Sequence, residues 1–328
     1  MYDLVVVGGG PAGLTATIYG IRKRLDVLLV STDLGGKTNY QLHLPFIHEY
    51  QLVRGVETVD KFRRELEYLE FARLMDKVTR VAKADEGLTV QTGEGQVLSA
   101  RTVIVATGTQ GQRLNIPGER EFMMRGVCYS VMSYSQFFID RSVAVVGDGE
   151  LALRGTAELA TVAAHVYMVG AIQAVVDTPL GRKLTEAEHV TLLDGYWPTE
   201  VLGGQFAEGL RVRGPQGQEQ VLQTDGIFIE QALLPRSELV ADLVELDPQG
   251  RIKVDARCCT NVPGIYAAGD VTGVYSEQTL VAMGEGAKAA LSAYEYLLPQ
   301  LESMGKAHDG NGTLTSGAKH DRRVVPAS

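Results

Sequence analysis

Leu4-Val5-Val6-Val7-Gly8-Gly9-Gly10-Pro11-Ala12-Gly13 decides the architecture of this chain. The strand-like run Asp3–Val7 ends in four apolar residues and then breaks on glycine, as a buried parallel strand does where it turns into a helix. Gly8-x-Gly10-x-x-Gly13 is a dinucleotide-binding fingerprint in its proper context. The first glycine permits the tight turn, the second admits a pyrophosphate against the backbone, and the third lets helix and strand pack closely. Pro11 suits the first helical position, and Ala12 follows it inside the turn. Free N–H groups and the positive end of the helix then face an anion. The helical pattern runs over Pro11–Lys23, a second strand over Val27–Val30, and Asp33 lies 20 residues beyond Gly13, placed to hold a ribose hydroxyl pair.

Moving outward, strand-like runs at Thr102–Ala106, Ser142–Val146 and His165–Val169 continue the alternation of strands and helices that builds parallel sheets. The unit recurs at Gly147-Asp148-Gly149-Glu150-Leu151-Ala152, 139 residues after Gly8, with Ala152 in place of the third glycine. The expected fold class is α/β: two Rossmann-like three-layer dinucleotide-binding domains, the second inserted in the first. The connector Leu114-Asn115-Ile116-Pro117-Gly118 and a return near Asp247–Lys253 set the boundaries. Residues 1–114 and 248–305 form the first domain, 115–247 the second, and 306–328 a flexible tail rich in Gly, Ser, Thr, His and charge. A helical stretch over Gly284–Leu297 precedes the tail.

A length of 328 residues suits two domains, and 45% apolar with 22% charged residues is ordinary globular composition. The net charge of −9 argues against nucleic acid or an anionic membrane as partner, since no basic run exceeds Arg22-Lys23-Arg24. The first apolar run is too short for a signal peptide or a membrane span, so a cytoplasmic protein is expected. Cys128, Cys258 and Cys259 read as reduced thiols, and no metal site is expected.

Two further segments carry a family likeness: Val105-Ala106-Thr107-Gly108 and Gly264-Ile265-Tyr266-Ala267-Ala268-Gly269-Asp270-Val271. With Gly8–Gly13 they resemble the low-molecular-weight thioredoxin reductases over roughly residues 1–300. The resemblance implies FAD on the first fold, with Asp270 at the flavin ribityl or phosphate region and Gly269 allowing close backbone approach. It implies a homodimer. Glu277-Gln278-Thr279 stands where the family has Arg-Gln-Ala at a helix start beside the flavin ring, and the change to Glu277 removes a cation. Gly35-Gly36-Lys37 resembles the family's Gly-Gly-Gln; Lys37 either points inward, to stabilise a reduced anionic flavin, or stands exposed.

Two reactive elements of that family are absent. Aligned without gaps between Arg125-Gly126-Val127 and Val143-Ala144-Val145, the redox Cys-x-x-Cys falls on Ser130-Val131-Met132-Ser133, and a hydroxyl forms neither a disulfide nor a reducing thiolate. Cys128 is either a shifted redox site or a small buried hydrophobe. After the second fingerprint, the His-Arg-Arg clamp and following Arg that hold the 2′-phosphate of NADPH are replaced by Gly170-Ala171-Ile172 and Val176, with no acidic residue at the strand end to take an NADH ribose. Arg182-Lys183 could swing in from the next segment.

The chain therefore resembles the pyridine-nucleotide-independent branch of this family, ferredoxin-linked or carrying a second flavin. The expectation is an FAD-dependent electron-transfer oxidoreductase for which NADPH is disfavoured, with a second FAD among the candidate occupants at Gly147–Ala152. A ferredoxin-like donor or a thioredoxin-like protein is the expected partner. If Ser130 and Ser133 replace native cysteines, disulfide oxidoreduction is the activity. The rivals are a ferredoxin–NADP reductase-like flavoenzyme and a non-catalytic flavin-binding scaffold.

Overall fold

The computed structural model describes residues 1–46 and 55–300, so the expectation for the tail lies outside the described residues. The chain opens with β1 (Tyr2–Val7), α1 (Pro11–Arg22) and β2 (Val27–Ser31), followed by α2 (Gly55–Tyr68) and β3 (Arg73–Met75). An antiparallel excursion, β4 (Val78–Lys83) and β5 (Leu88–Thr92), leads into the long β6 (Val97–Val105). β7 (Thr109–Gly111) leaves this sheet, and the chain returns to it only at β17 (Ile265–Ala267) and α7 (Thr279–Leu297). The sheet order is β3-β2-β1-β6-β5-β4, with β17 also on β6.

β6 serves two neighbours on one edge. Residues 97–100 pair antiparallel with β5, while Val103, Ile104 and Val105 pair in parallel with Ile265, Tyr266 and Ala267. The parallel layer is thus β3-β2-β1-β6-β17. Leu4, Val6, Ile104 and Tyr266 face α1 and α7 in one core, and Val5, Val7, Val103 and Ala267 face the opposite one. Both faces are covered, which explains why these strands read as continuous apolar runs rather than alternating ones. α7 begins at Thr279, five residues before the helical stretch expected from Gly284, and both Gly284 and Gly286 lie within it. A Cβ on Gly286 would meet the Ala12 carbonyl oxygen at 2.0 Å, so the glycine that weakens the helical pattern is what lets α7 lie against α1.

The second sheet is wholly parallel, β11-β10-β9-β15-β8. It comprises β8 (Val127–Cys128), β9 (Ser142–Val146), β10 (His165–Gly170), β11 (Val190–Asp194) and β15 (Gly226–Ile229). One face packs on α4 (Glu150–Leu159), with the short α3 (Val131–Tyr134), α5 (Gln173–Val176) and α6 (Pro179–Thr185) around it. A three-stranded antiparallel sheet, β12 (Trp197–Gly203), β13 (Ala207–Arg213) and β14 (Glu219–Gln223), covers the other. The fold is α/β with two Rossmann-like units. β16 (Leu233–Pro235) pairs with β7, joining the strands that lead into and out of the second unit.

Candidate functional site

At the first glycine turn, the backbone is braced on its sheet side and open on the other. Gly9 N donates to Ser31 Oγ at 2.8 Å, Ser31 Oγ donates to the Asp33 carbonyl, and Gly35 N donates to the Gly9 carbonyl. A Cβ on Gly13 would lie 1.8 Å from the Gly8 oxygen, so only glycine permits this strand–helix approach. Gly10, by contrast, has nothing within 4 Å of its Cβ position, is the N-cap of α1, and provides no side-chain cap. The uncapped first-turn amides of a 12-residue helix, with no acidic residue in that turn, suit a phosphate. Asp33 lies two residues past the end of β2, where its Oδ1 accepts from Gly36 N at 2.8 Å.

The other predicted residues of the first fold converge on this turn. Ala106 follows β6 and packs beneath Gly8 and Gly13, Gly108 has φ +68°, and Thr107 Oγ1 donates to the Arg236 carbonyl. Gly269 has φ +78° and approaches Ala12, its Cβ position 3.1 Å from that of Ala12. Lys37 combines the two alternatives: its side chain is 44% exposed, while its ammonium donates to Thr109 Oγ1 at 2.7 Å, Asp270 Oδ2 at 2.8 Å and Glu277 Oε2 at 3.0 Å. Burial opposes its charge, yet the facing carboxylates of Asp270 and Glu277 outweigh that and hold its pKa above the ordinary value. Gln278 is the N-cap of α7 without a capping side chain, and Gln278 Nε2 and Glu277 Oε1 are buried without hydrogen-bond partners. Two unpaired buried polar atoms beside free helix amides are costly unless a polar ligand meets them. Together with the open face of Gly10, they fit a dinucleotide with a polar ring at its far end.

Ser130 and Ser133 lie together as the gap-free alignment expects. Ser130 is the N-cap of α3, its Oγ is 3.0 Å from Ser133 Oγ and accepts from Ser133 N at 3.3 Å. This loop reaches the start of α7, because Ser276 Oγ lies 3.0 Å from Met132 Sδ. Beneath the loop sits Glu230, 5% exposed, accepting from Val131 N at 2.5 Å. Burial pushes its carboxyl up to about 7, against that amide, with Glu277 and Glu158 pushing the same way as burial. Sequence reasoning missed Glu230, since it is 99 residues from Val131. The available signal was an acid directly following the wholly apolar Gly226–Ile229. Cys128 is fully buried, and burial together with Glu230 raises its thiol far above the range in which a thiolate forms. It is the buried hydrophobe of the two alternatives.

The second glycine turn repeats the first in backbone only. Gly147 packs on the Glu230 carbonyl and Ala152, while Gly149 has open space at its Cβ position and caps α4 without a side chain. Glu150, however, stands in the first turn, paired with Arg154 at 2.7 Å, and Leu151 is partly exposed beside it. No acid stands at the end of β10 itself, but one stands beside it. Asp194 ends β11 in register with Gly170, and its Oδ1 accepts from Ile172 N at 2.9 Å and Gln173 N at 3.1 Å. It comes from the neighbouring strand, which the sequence around Gly170 does not show. Arg182 does not swing in; its Nη1 donates to the Asp177 carbonyl at 2.6 Å. Among the described residues no helix is long and apolar enough to cross a membrane, and no group of His, Cys, Asp and Glu is arranged to hold a metal ion.

Residues 2–286 match the family described as pyridine nucleotide-disulphide oxidoreductase. The chain is 34% identical over 300 residues to the F subunit of alkyl hydroperoxide reductase in Staphylococcus aureus (strain MSSA476), covering 90% of this chain and 59% of the relative. It is 35% identical over 303 residues to the counterpart of that protein in Pseudomonas putida, covering 90% and 58%. It thus spans about three fifths of the length of these curated relatives. Thioredoxin reductase from Streptococcus pyogenes MGAS5005 superposes with a TM-score of 0.81 at 29% identity, covering 90% of this chain and 98% of that one. Two glycine turns on two largely parallel sheets, matched over nearly the whole described length, place the chain in the pyridine nucleotide-disulphide oxidoreductase family of FAD-dependent oxidoreductases.

Proposed function

We propose that this chain is a thioredoxin reductase-like electron-transfer flavoprotein that holds FAD on its first fold and is not reduced by NADPH. The observation that carries the reading is at the second turn, where Asp194 accepts from the amides after β10 and Glu150 is paired with Arg154, whereas the first-turn amides of α1 stand uncapped. In the bound state FAD supplies a two-electron carrier. The chain's own part is to bind and orient it. Gly8, Gly10 and Gly13 would admit the pyrophosphate to the α1 amides, Asp33 would take the ribose, and Gly269-Asp270 with Glu277-Gln278-Thr279 would hold the ring end. On the second fold, Asp194 occupies the amides after β10 with negative charge, so a 2′-phosphate there meets repulsion instead of a clamp. Charge-assisted contacts to a phosphate contribute about 1.5–3 kcal/mol each, and the loss of two or three costs NADPH several orders of magnitude. An adenine dinucleotide without that phosphate, a second FAD included, is the class of occupant left to Gly147–Ala152. These features weigh against the ferredoxin–NADP reductase reading.

A protein partner, ferredoxin-like or thioredoxin-like, would meet the exposed side chains of Met132 and Tyr275 beside the Ser130–Ser133 loop. One observation favours a second reading, in which these serines stand for cysteines in a disulfide oxidoreductase: their hydroxyls already lie within 3.0 Å of each other. The test is to release the cofactor from pure protein, count flavins per chain, and follow flavin bleaching by stopped flow with NADPH and with reduced ferredoxin. FAD at one or two per chain, bleached by ferredoxin and not by micromolar NADPH, is the expected outcome. FMN alone, a colourless protein that takes up no FAD, or saturable reduction by micromolar NADPH would overturn it. A flavin that no donor bleaches rapidly would leave the scaffold reading in its place.

A further inference from the structure

The geometry points to Lys37 as the positioning residue that sets the reduction potential of the flavin site, working as a relocated counter-charge against Asp270 and Glu277; this rests on the FAD reading above. The three donors of its ammonium are all used, on Thr109, Asp270 and Glu277, so the side chain is held from β7, from the Gly269-Asp270 turn and from the start of α7 at once. An ordinary surface lysine has no such anchorage. The cluster leaves two buried polar atoms unsatisfied, as a site completed by a polar ligand does. Glu277 accepts with Oε2 alone, leaving Oε1 buried and unpaired, and the adjacent Gln278 Nε2 is likewise unpaired at the mouth of the 19-residue α7.

The charge count gives the direction. Asp270 and Glu277 carry two negative charges, and Lys37 is the cation bonded to both. Two-electron reduction with uptake of one proton adds one negative charge to a flavin ring. Without Lys37 that charge forms beside two uncompensated carboxylates; without Glu277 it forms beside a cation bonded to Asp270 alone. Neutralising Lys37 and neutralising Glu277 must therefore move the potential in opposite directions, which loss of packing does not do.

The experiment measures the midpoint potential of FAD-loaded wild type, Lys37→Gln, Lys37→Arg and Glu277→Gln, by equilibration with a reference dye under xanthine and xanthine oxidase. Lys37→Gln should favour the oxidised form about tenfold, which for a two-electron couple is about 30 mV downward. Glu277→Gln should shift upward, and Lys37→Arg should stay within about threefold of wild type. Shifts of the same sign in Lys37→Gln and Glu277→Gln, or no shift beyond threefold in either, would overturn the role of Lys37 while leaving the FAD reading standing. A wild-type protein that takes up no FAD would overturn both. Should Lys37→Gln fail to fold, an unmoved potential in Glu277→Gln overturns the inference by itself.

Discussion

At Gly10 and at Gly149 the backbone arrives at the same point. Each is an extended N-cap without a side-chain cap, each has open space at its Cβ position, and each opens a helix of ten or more residues. Around Gly10 the first helical turn carries no acid, and Lys37 bonds to the Asp270 carboxylate at the far end of the same site. Around Gly149 the turn itself contains Asp148, Glu150 follows in the helix paired with Arg154, and Asp194 has taken the amides beyond β10. A glycine turn builds a cradle of phosphate size, but amides and the helix end contribute only about half a unit charge. Neighbouring full charges decide what enters. Two copies of one backbone device in one chain have thus separated in electrostatics without separating in shape.

The sharpest way to break this comparison is to place the same side chain in both turns. Neither Gly10→Val nor Gly149→Val meets a neighbour within 4 Å of the new Cβ, so both proteins should fold, with a capping cost of about 1 kcal/mol or less. At Gly10 the isopropyl group fills the pyrophosphate's place. FAD affinity should fall about a thousandfold or more, about 4 kcal/mol, and the purified variant should be colourless. Gly149→Val should keep the flavin of the first fold, so that at least one FAD per chain remains. Equal loss of FAD from both variants, read from extracted flavin and protein concentration, would show that the two turns form a single site.

A smaller change tests the loop between the folds. Ser130→Cys with Ser133→Cys puts two sulfurs where two oxygens now lie 3.0 Å apart, and a modest rotation brings them to the bond length of about 2.05 Å. Mild oxidation should then remove two titratable thiols and leave the three native cysteines, of which Cys128 and Cys258 are buried. Photoreduction of the flavin should reopen the bridge. If no disulfide forms, the adjacency of the hydroxyls is a feature of capping alone, and the disulfide-oxidoreductase reading falls.

The legible part of this molecule is the part whose chemistry is local. Leu4–Gly13 and Ser142–Ala152 each carry strand, turn and helix start within about ten residues, and the structure builds them there. Gly284 and Gly286 lower the intrinsic helical propensity of α7, and the contact with Ala12 that makes Gly286 necessary is more than 270 residues away in the chain. The orientation of Lys37 is not legible in its own segment for the same reason: Asp270 and Glu277 are 233 and 240 residues distant. Asp194 and Glu230 escape a reading of the sequence because each acts on a loop beside a neighbouring strand, at Ile172 and at Val131. Parallel sheets bring together strand ends that are far apart in sequence, and those ends are where sites form.

The smallest effect belongs to Glu230, which touches both members of the comparison. Its carbonyl lies against Gly147, and its carboxyl faces Glu277 of the first fold and Glu158 of α4 while accepting from Val131. A folded-state value of about 7 lies above the ordinary carboxyl value near 4.5, so between these the folded protein binds more protons than the unfolded chain. The contribution to stability is therefore complete below the unfolded value and is lost as pH rises through about 7. Its full size is on the order of 3 kcal/mol. Glu230→Gln keeps an oxygen for the Val131 amide and cannot ionise, so the stability difference between variant and wild type should grow in favour of the variant from pH 5 to pH 8. Urea midpoints at the two pH values measure it. Glu277→Gln provides the sharpening step, because removing that facing charge should lower the Glu230 midpoint and shrink the pH-dependent difference. A difference that stays constant with pH would show that Glu230 is ionised throughout, and the carboxyl beneath the Ser130–Ser133 loop would then be a fixed charge rather than a proton-holding one.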